Sequence, residues 1–272
     1  MSDPYHAADD AWTIKAWWQD LHSAAATLTR LPLPHPPAVT ALDPRVRRAY
    51  PVIGTLIGLA AGGVFFAAHD VGLPLAVCTV VSVAALILIG GHMDDHGQRA
   101  AGPLLVATMI KLAAIYVIGN PSTPDGGPHM VVVSLAAAGA LSHAAAILFE
   151  PNPPEDDEDA QTGVMPTPTN ADPKVVILPP DGTEISEEDM DEGNGRELGP
   201  ATTAIIIALI VALVALGILP GAAAVGGAAI GAWGAPRMLA REIESEVLPL
   251  PLALQQSGEV WALLALAILM SI

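Results

Sequence analysis

Seven long apolar runs follow one another along the chain, and polar residues are concentrated between them. A membrane-spanning α-helix needs roughly 17–25 predominantly apolar residues. Runs that approach this length lie at about 52–68, 73–91, 103–119, 130–149, 201–219, 221–236 and 259–272, the last at the lower limit for a span. The hydrophobic pattern therefore predicts an all-α fold, a polytopic membrane helix bundle of about seven spans.

Glycine and proline in these runs predict where helices approach one another and where the chain turns. Gly54, Gly58 and Gly62 stand four residues apart in the first run, and such G-x-x-x-G pairs let neighbouring helices pack closely. Pro220 and Gly221 stand side by side between the fifth and sixth runs. A tight reversal of the chain is predicted there.

The N-terminal stretch 11–31 lacks a continuous apolar core, so it is not a signal peptide. It carries tryptophans and leucines among charged residues, namely Trp12, Trp17, Trp18, Leu21, Leu28, Lys15, Asp20 and Arg30. Tryptophans favour the headgroup depth of a bilayer, which predicts an N-terminal interfacial helix, although an exposed amphipathic helix has the same pattern. The proline-rich residues 31–37 then predict an extended linker.

The composition agrees with a membrane protein and places the acidity in one segment. Only 14% of the residues are charged, against about a quarter in an average soluble domain. The net charge of −17 belongs mostly to residues 150–199, which hold 15 acidic and 2 basic residues and have the composition of a disordered loop. We divide the chain into a cytoplasmic N-terminus (1–51), a first membrane half of four spans (52–149), an acidic disordered loop (150–200) and a second membrane half of three spans (201–272).

The distribution of Lys and Arg predicts the orientation, because cytoplasmic loops are enriched in both. With the N-terminus in the cytoplasm, ten of the eleven basic residues fall on the cytoplasmic side, and the eleventh, Lys111, lies within a span. We therefore expect a multi-pass protein of the cell inner or plasma membrane, with a cytoplasmic N-terminus and seven spans. No basic patch indicates a nucleic-acid partner.

Polar residues at the end of the second predicted span are the first candidates for chemistry. Two adjacent carboxylates, Asp94 and Asp95, lie between two imidazoles, His92 and His96. Mg²⁺ is commonly held by one or two carboxylates together with substrate phosphates. The segment therefore predicts a divalent-cation or phosphate site, and an ordinary polar connector between two spans fits the same residues.

Two further sets of polar residues complete the candidates. A cytoplasmic loop is predicted at 237–259, with the polar residues Arg237, Arg241, Glu242, Glu244, Glu246, Gln255, Gln256 and Glu259. Lys111 and His143 lie in or near spans, where ionisable residues are functional candidates by default. Lys111 is expected to snorkel or to pair with an acid, and a purely structural role fits it as well.

Five segments, taken in order, resemble the cobalamin synthases, the adenosylcobinamide-GDP ribazoletransferases. The family motifs FLTRLPVP, AFPLVGLLLG, GGLHLDGLADTADG, ALSRAA and ALQQVGEV are similar to residues 27–34, 49–58, 90–94, 140–145 and 253–260 of this chain. The resemblance extends from about residue 20 to the C-terminus and leaves out the acidic segment.

The resemblance implies a membrane transferase that joins α-ribazole to adenosylcobinamide-GDP, releases GMP and uses Mg²⁺. The two substrates and the lipid bilayer are then its partners. On this basis Asp94 and Asp95 are expected to ligate Mg²⁺. Asp94 is also expected to be catalytic, with His92 and His96 assisting in phosphate contact or proton transfer. Substrate-binding residues are expected at Arg99, Gln98, His143, Gln256 and Glu259.

The chain also departs from the family motifs. Gln98 and Ala101 stand where the family has two further acids, and His143 stands where arginine is usual. The family segments DSRIGTFG and GGQTGD are missing. These departures leave open an alternative, a non-catalytic, diverged or synthetic family-derived membrane scaffold or binding protein. A small transporter ranks last, because the spans show no inverted repeat of half-helices.

Overall fold

The computed structural model describes residues 13–33, 45–90, 101–148, 199–240 and 250–272, and the regular structure in these ranges is helical. A short 3₁₀ turn, Val46–Ala49, leads directly into the second α-helix. The α-helices in the described ranges are α1 (Ile14–Leu28), α2 (Tyr50–Asp70), α3 (Leu75–Ile89), α4 (Ala101–Gly119), α5 (Pro128–Leu148), α6 (Pro200–Leu216), α7 (Ile218–Met238) and α8 (Leu250–Ser271).

The helix bundle confirms the predicted fold class. Helix α2 with its preceding turn, α5, α7 and α8 are each long and apolar enough to cross a membrane, and α3, α4 and α6 are apolar but shorter. Each of the seven predicted apolar runs overlaps one of these helices. The orientation in the membrane stays a prediction.

All of the described helices belong to one compact unit of the chain. The acidic segment lies outside the described residues, so its predicted disorder and the predicted domain boundaries stay predictions.

The last helix begins earlier than the hydrophobic pattern indicates. Helix α8 is 22 residues long and starts at Leu250, so the predicted start at residue 259 is wrong, and so is the predicted loop over residues 250–258. Pro251 lies in its first turn, where proline is tolerated because the N–H it lacks has no helical partner there. The apolar pattern misses the start of this helix because Gln255 and Gln256 lower its hydropathy. Their side chains line a cavity inside the bundle rather than facing lipid.

The reversal between α6 and α7 lies at Gly217, three residues before the predicted Pro220. Gly217 is the single residue between the two helices, and its φ of +83° belongs to the left-handed region that favours glycine. Pro220 and Gly221 lie in the first turn of α7. The predicted reversal lies too late in the chain because proline occurs in the first turn of a helix as readily as after its end.

Helix α5 lies at the centre of the bundle, with 14 of its 21 residues buried. It packs against α2 without intervening side chains. A Cβ added at Gly58 would fall on the carbonyl group of Leu135, and one added at Gly54 would fall on that of Gly139. The close approach predicted from the G-x-x-x-G spacing is therefore confirmed, and α5 is the partner helix.

Helix α1 confirms the predicted N-terminal helix within 11–31. The Thr13 side chain caps it by accepting a hydrogen bond from the Ala16 N–H, and Ala24 and Leu28 pack against the start of α2. Trp18 is 70% exposed. The exposed tryptophan fits a helix at the membrane surface, a location that stays a prediction.

A buried ion pair joins α1 to the 3₁₀ turn. Both Nε and a terminal nitrogen of the Arg48 guanidinium contact Oδ2 of Asp20, at 2.8 and 2.6 Å. The guanidinium also lies over the Trp17 ring, 4.5 Å from its centroid. Both charged side chains are 5% exposed. Because buried charges are costly unless they are paired, this contact ties α1 to the bundle.

Replacement of Asp20 by alanine is expected to loosen α1. The change leaves the Arg48 charge buried without this carboxylate, and we expect a loss of about 2 kcal/mol in the free energy of unfolding, since Trp17 still covers the guanidinium. Thermal unfolding in detergent measures the loss. Lys15→Ala, an exposed change on the same helix, is the control, and equal stability of the two variants would contradict the prediction.

Candidate active site

A polar cavity of about 90 Å³ lies among α2, α3, α4, α5 and α8. Its apolar walls come mainly from α2 and α3, and its polar side chains come from α4, α5 and α8. The polar side chains that line it are Thr108, Lys111, Ser142, His143, Gln255, Gln256 and Glu259. A pocket with convergent polar groups in an otherwise apolar bundle is the first place to look for function.

Lys111 and Glu259 form an ion pair in the wall of this cavity. The Lys111 ammonium donates to Glu259 Oε2 at 2.6 Å and to Gln256 Oε1 at 2.8 Å. The charged side chains are 8% and 10% exposed. The pairing with an acid that was expected of Lys111 is confirmed, and the acid is supplied by α8, 148 residues further along the chain.

His143 is held by the backbone of its own helix. Its Nδ1 lies 2.8 Å from the Gly139 carbonyl oxygen, and its Nε2 lies 3.2 Å from Nε2 of Gln255. A carbonyl oxygen only accepts hydrogen bonds, so Nδ1 carries the proton. In the neutral ring Nε2 then accepts a hydrogen bond from the Gln255 amide, and this nitrogen points across the cavity wall to α8.

Gly54 provides the space for this imidazole. A Cβ built on Gly54 would lie 2.5 Å from Nδ1 of His143, which is closer than real contacts allow. The ring is only 5% exposed and lines the cavity. The glycine spacing of α2 therefore serves the site as well as helix packing, because any side chain at position 54 would push the ring away from Gly139.

The cavity brings together three of the predicted substrate-binding residues. His143, Gln256 and Glu259 all line it, and so does Gly90, the last described residue before the segment 91–100. The other predicted site residues lie outside the described residues, namely His92, Asp94, Asp95, His96, Gln98 and Arg99. Their assigned roles, including Mg²⁺ ligation, stay predictions.

The cavity also contains Lys111 and Gln255, two polar candidates of the sequence that were given no predicted catalytic, substrate-binding or metal role. Gln255, Gln256 and Glu259 stand at positions that share one face of a helix, since side chains three and four residues apart are neighbours. That signal was present in the sequence, and it was missed because the helix was expected to begin at residue 259. Arg237, also predicted at this end, instead stacks on Trp233 and is not part of the cavity lining.

The described part of the cavity does not form a metal site by itself. Among the residues that the structure describes, no three His, Cys, Asp or Glu side chains are grouped closely enough to hold a metal ion. The cavity carboxylate, that of Glu259, already contacts the Lys111 ammonium. A divalent cation beside Glu259 would meet the positive charge of Lys111.

These features define an integral membrane protein whose helix bundle encloses a polar cavity. Comparison with known proteins then points to the cobalamin synthases, because residues 20–97 match the family model for cobalamin-5-phosphate synthase. The match confirms the resemblance inferred from the sequence for this part of the chain, which includes the C-terminal part of α1 and all of α2 and α3.

Two curated relatives carry the name adenosylcobinamide-GDP ribazoletransferase. The protein of Brucella anthropi is 40% identical over 79 residues, which are 28% of this chain and 30% of the relative. The protein of Azorhizobium caulinodans is 32% identical over 82 residues, 29% of this chain and 31% of the relative. The matched region thus spans less than a third of either relative. No solved structure matches the chain.

Proposed function

We propose that this chain is a membrane transferase of cobalamin biosynthesis that joins α-ribazole to adenosylcobinamide-GDP and releases GMP. The similarity of residues 20–97 to cobalamin synthases supports the family. The observation that carries the proposal further is the shared cavity: His143 and Glu259, 116 residues apart in the sequence, line it together with Gly90.

The short stretch of chain between Gly90 and the predicted acids is compatible with a site that combines them with this cavity. Asp94 follows Gly90 by four residues, and a chain extends at most about 3.6 Å per residue, so their Cα atoms lie within about 14 Å of each other. One site formed from residues 92–99 and the polar face of α8 is therefore compatible with the chain. Arg99 and Gln98 would then contact the pyrophosphate, for which an arginine fork is well suited.

The size of the cavity indicates which parts of the substrates enter it. Pockets that enclose a whole drug-sized ligand have volumes of about 300–1,000 Å³, whereas this one has about 90 Å³. We propose that it takes the hydroxyl and the phosphate that the hydroxyl attacks, with the corrin ring outside. The cavity thus serves the reacting ends of the two substrates, and hydrogen-bond donors fixed in its walls stabilise charge that develops on phosphate oxygens.

We place Mg²⁺ at Asp94 and Asp95 rather than at Glu259. Mg²⁺ is usually held by one or two carboxylates plus substrate phosphates, and Glu259 is neutralised by Lys111. A bound Mg²⁺ neutralises negative charge on pyrophosphate oxygens. In the cell the protein is placed in the inner membrane with its N-terminus and this site on the cytoplasmic side, as the distribution of basic residues predicts.

The test is turnover by the purified protein in detergent or proteoliposomes. Adenosylcobinamide-GDP, α-ribazole and Mg²⁺ are expected to give cobalamin and GMP in equal amounts, both measured by chromatography. Chelation of Mg²⁺ and the double change Asp94→Asn with Asp95→Asn are each expected to reduce turnover by at least about 100-fold, because charge on the pyrophosphate is then uncompensated.

Asp70→Asn provides the matched control, since Asp70 is an exposed acid at the last residue of α2 and does not line the cavity. It is expected to retain full turnover. Wild-type protein that is folded and forms no cobalamin above a blank of empty membranes would overturn the enzyme proposal. That outcome would favour the non-catalytic scaffold or binding protein, which predicts no chemistry, with or without measurable binding.

A further inference from the structure

The geometry of His143 points to a role in the reaction that its position alone does not reveal. We propose that Nε2 of His143 accepts the proton of the hydroxyl that attacks the pyrophosphate. The inference rests on the proposed function, and it assigns the general base of that same site. His143 lines the cavity, and its contact with a backbone carbonyl oxygen determines which ring nitrogen carries the proton.

The contact with Gly139 selects the tautomer that a base requires. Nδ1 lies 2.8 Å from a carbonyl oxygen, which needs a donor, so the proton of the neutral ring resides on Nδ1. Nε2 therefore bears the lone pair. Ser142, one residue earlier, donates its hydroxyl to the same carbonyl at 3.1 Å, which holds that turn of α5 together.

The lone pair on Nε2 faces a partner that a substrate can replace. The Gln255 amide is 3.2 Å away and is a neutral donor on a flexible side chain. A substrate hydroxyl that enters between α5 and α8 offers the same kind of hydrogen bond to Nε2. The glutamine amide thus occupies the position that the hydroxyl donor of a substrate would take.

Within the described part of the site, the charged groups near the ring are paired with each other. We therefore assign the base to His143. Helix α8 presents Glu259 to the cavity, but Oε2 of this carboxylate already accepts a hydrogen bond from the Lys111 ammonium at 2.6 Å. Helix α4 presents Lys111 itself, a donor that is engaged twice. The residues that α2 and α3 contribute to the lining are apolar or glycine.

The proposed step balances without any further reactant. The hydroxyl oxygen forms a bond to the phosphorus next to the cobinamide, and the bond from that phosphorus to the bridging oxygen breaks. The electron pair of the broken bond remains with GMP. The hydroxyl proton moves to Nε2, which makes the imidazole cationic next to the departing phosphate, and the ring later returns the proton to GMP or to water.

The first experiment measures turnover against pH for His143→Asn. Asparagine keeps a donor at the position of Nδ1, so the hydrogen bond to Gly139 is retained and Nε2 alone is lost. We expect kcat to fall by about 100-fold or more, with KM changed little, because positioned bases contribute roughly that much. The acid limb of the wild-type kcat profile is expected to disappear in the variant.

Ser134→Ala is the control, since Ser134 is fully buried on the same helix and is outside the cavity. It is expected to keep both kcat and the pH profile. His92→Asn and His96→Asn serve as competing variants. If either of them removes the acid limb while His143→Asn retains it, the proposal is overturned.

A second experiment tests the tautomer without any need for activity. Protein labelled with ¹⁵N at histidine is compared with the labelled His143→Asn variant by solid-state NMR in lipid, and the signals lost in the variant belong to His143. We expect a protonated Nδ1 and an unprotonated Nε2 at neutral pH. A proton found on Nε2 instead would contradict the proposal, whatever the enzyme assay shows.

The two experiments separate this inference from the function on which it rests. Wild-type protein without turnover overturns the transferase and the assignment of a base together. Wild-type turnover that His143→Asn leaves unchanged in rate and pH profile overturns the assignment of His143 and leaves the transferase intact.

Discussion

Lys111→Met is expected to lower the free energy of unfolding by about 3–5 kcal/mol, which is the usual cost of removing one partner from a buried ion pair. The variant leaves the Glu259 carboxylate buried with its charge uncompensated. It also removes the donor to Gln256 Oε1, which lies 2.8 Å from the ammonium. The contact between α4 and α8 then loses both of its polar links.

A double-mutant cycle identifies the pair as the cause. Glu259→Gln alone leaves the Lys111 ammonium buried and is expected to cost a similar amount. The double variant Lys111→Met with Glu259→Gln is expected to recover most of the loss, because no buried charge remains, so the coupling energy between the two changes is expected to exceed either single loss.

The measurement is unfolding in detergent, by heat or by titration with a denaturing detergent. Arg237→Met is the matched control, because Arg237 is a cation near the end of α7 that stacks on Trp233 and lies outside the cavity. The control variant is expected to lose less than about 1 kcal/mol in the free energy of unfolding. A Lys111→Met variant that is as stable as this control would show that the ion pair contributes nothing.

Gly58→Leu is expected to prevent the bundle from assembling, and Gly58→Ala is expected to cost about 3 kcal/mol, the upper part of the range for an overpacked core. The Cβ of an alanine at this position would lie on the carbonyl of Leu135 and close to Cα of Ala136. Both neighbours are backbone of α5, so no side-chain rotation relieves the clash. The two helices have to move apart along their longest contact.

Gly63→Ala provides the control on the same helix. A Cβ at Gly63 meets no atom within 4 Å, so the substitution is expected to be neutral or to stabilise the helix by up to about 1 kcal/mol. Yield of folded protein in membranes and thermal unfolding in detergent compare the variants. Equal behaviour of Gly58→Ala and Gly63→Ala would show that α2 and α5 do not pack as closely as described.

How far the site was predictable depended on the kind of signal at each residue. His143, Gln256 and Glu259 were expected from the resemblance to a known family, and the cavity contains all three. Gln255 was assigned to a loop, because two glutamines lower the hydropathy of this stretch. Lys111 was noticed as a charge in a span, but nothing near it in the chain indicates a partner 148 residues away.

Local features of the fold were predictable because the signal for each of them is confined to one segment of the chain. The apolar runs indicate helices because a bilayer leaves backbone groups no partners except one another. The four-residue glycine spacing indicates a close approach, because only glycine lets two backbones meet. The turn at Gly217 was misplaced because Pro220 suits the first turn of a helix as well as a reversal.

The sequence by itself thus determined that this protein is a bundle of apolar helices, with a glycine face on α2 and a family likeness in its first part. Length, hydropathy and spacing are local quantities, and each is legible in one segment. The tertiary structure alone decided that Lys111 meets Glu259 and that Gly54 leaves room for the imidazole of His143. It also decided that Gln255 lies against that imidazole. These contacts depend on how separate helices pack, because buried polar groups take their partners from whichever helix the packing places beside them.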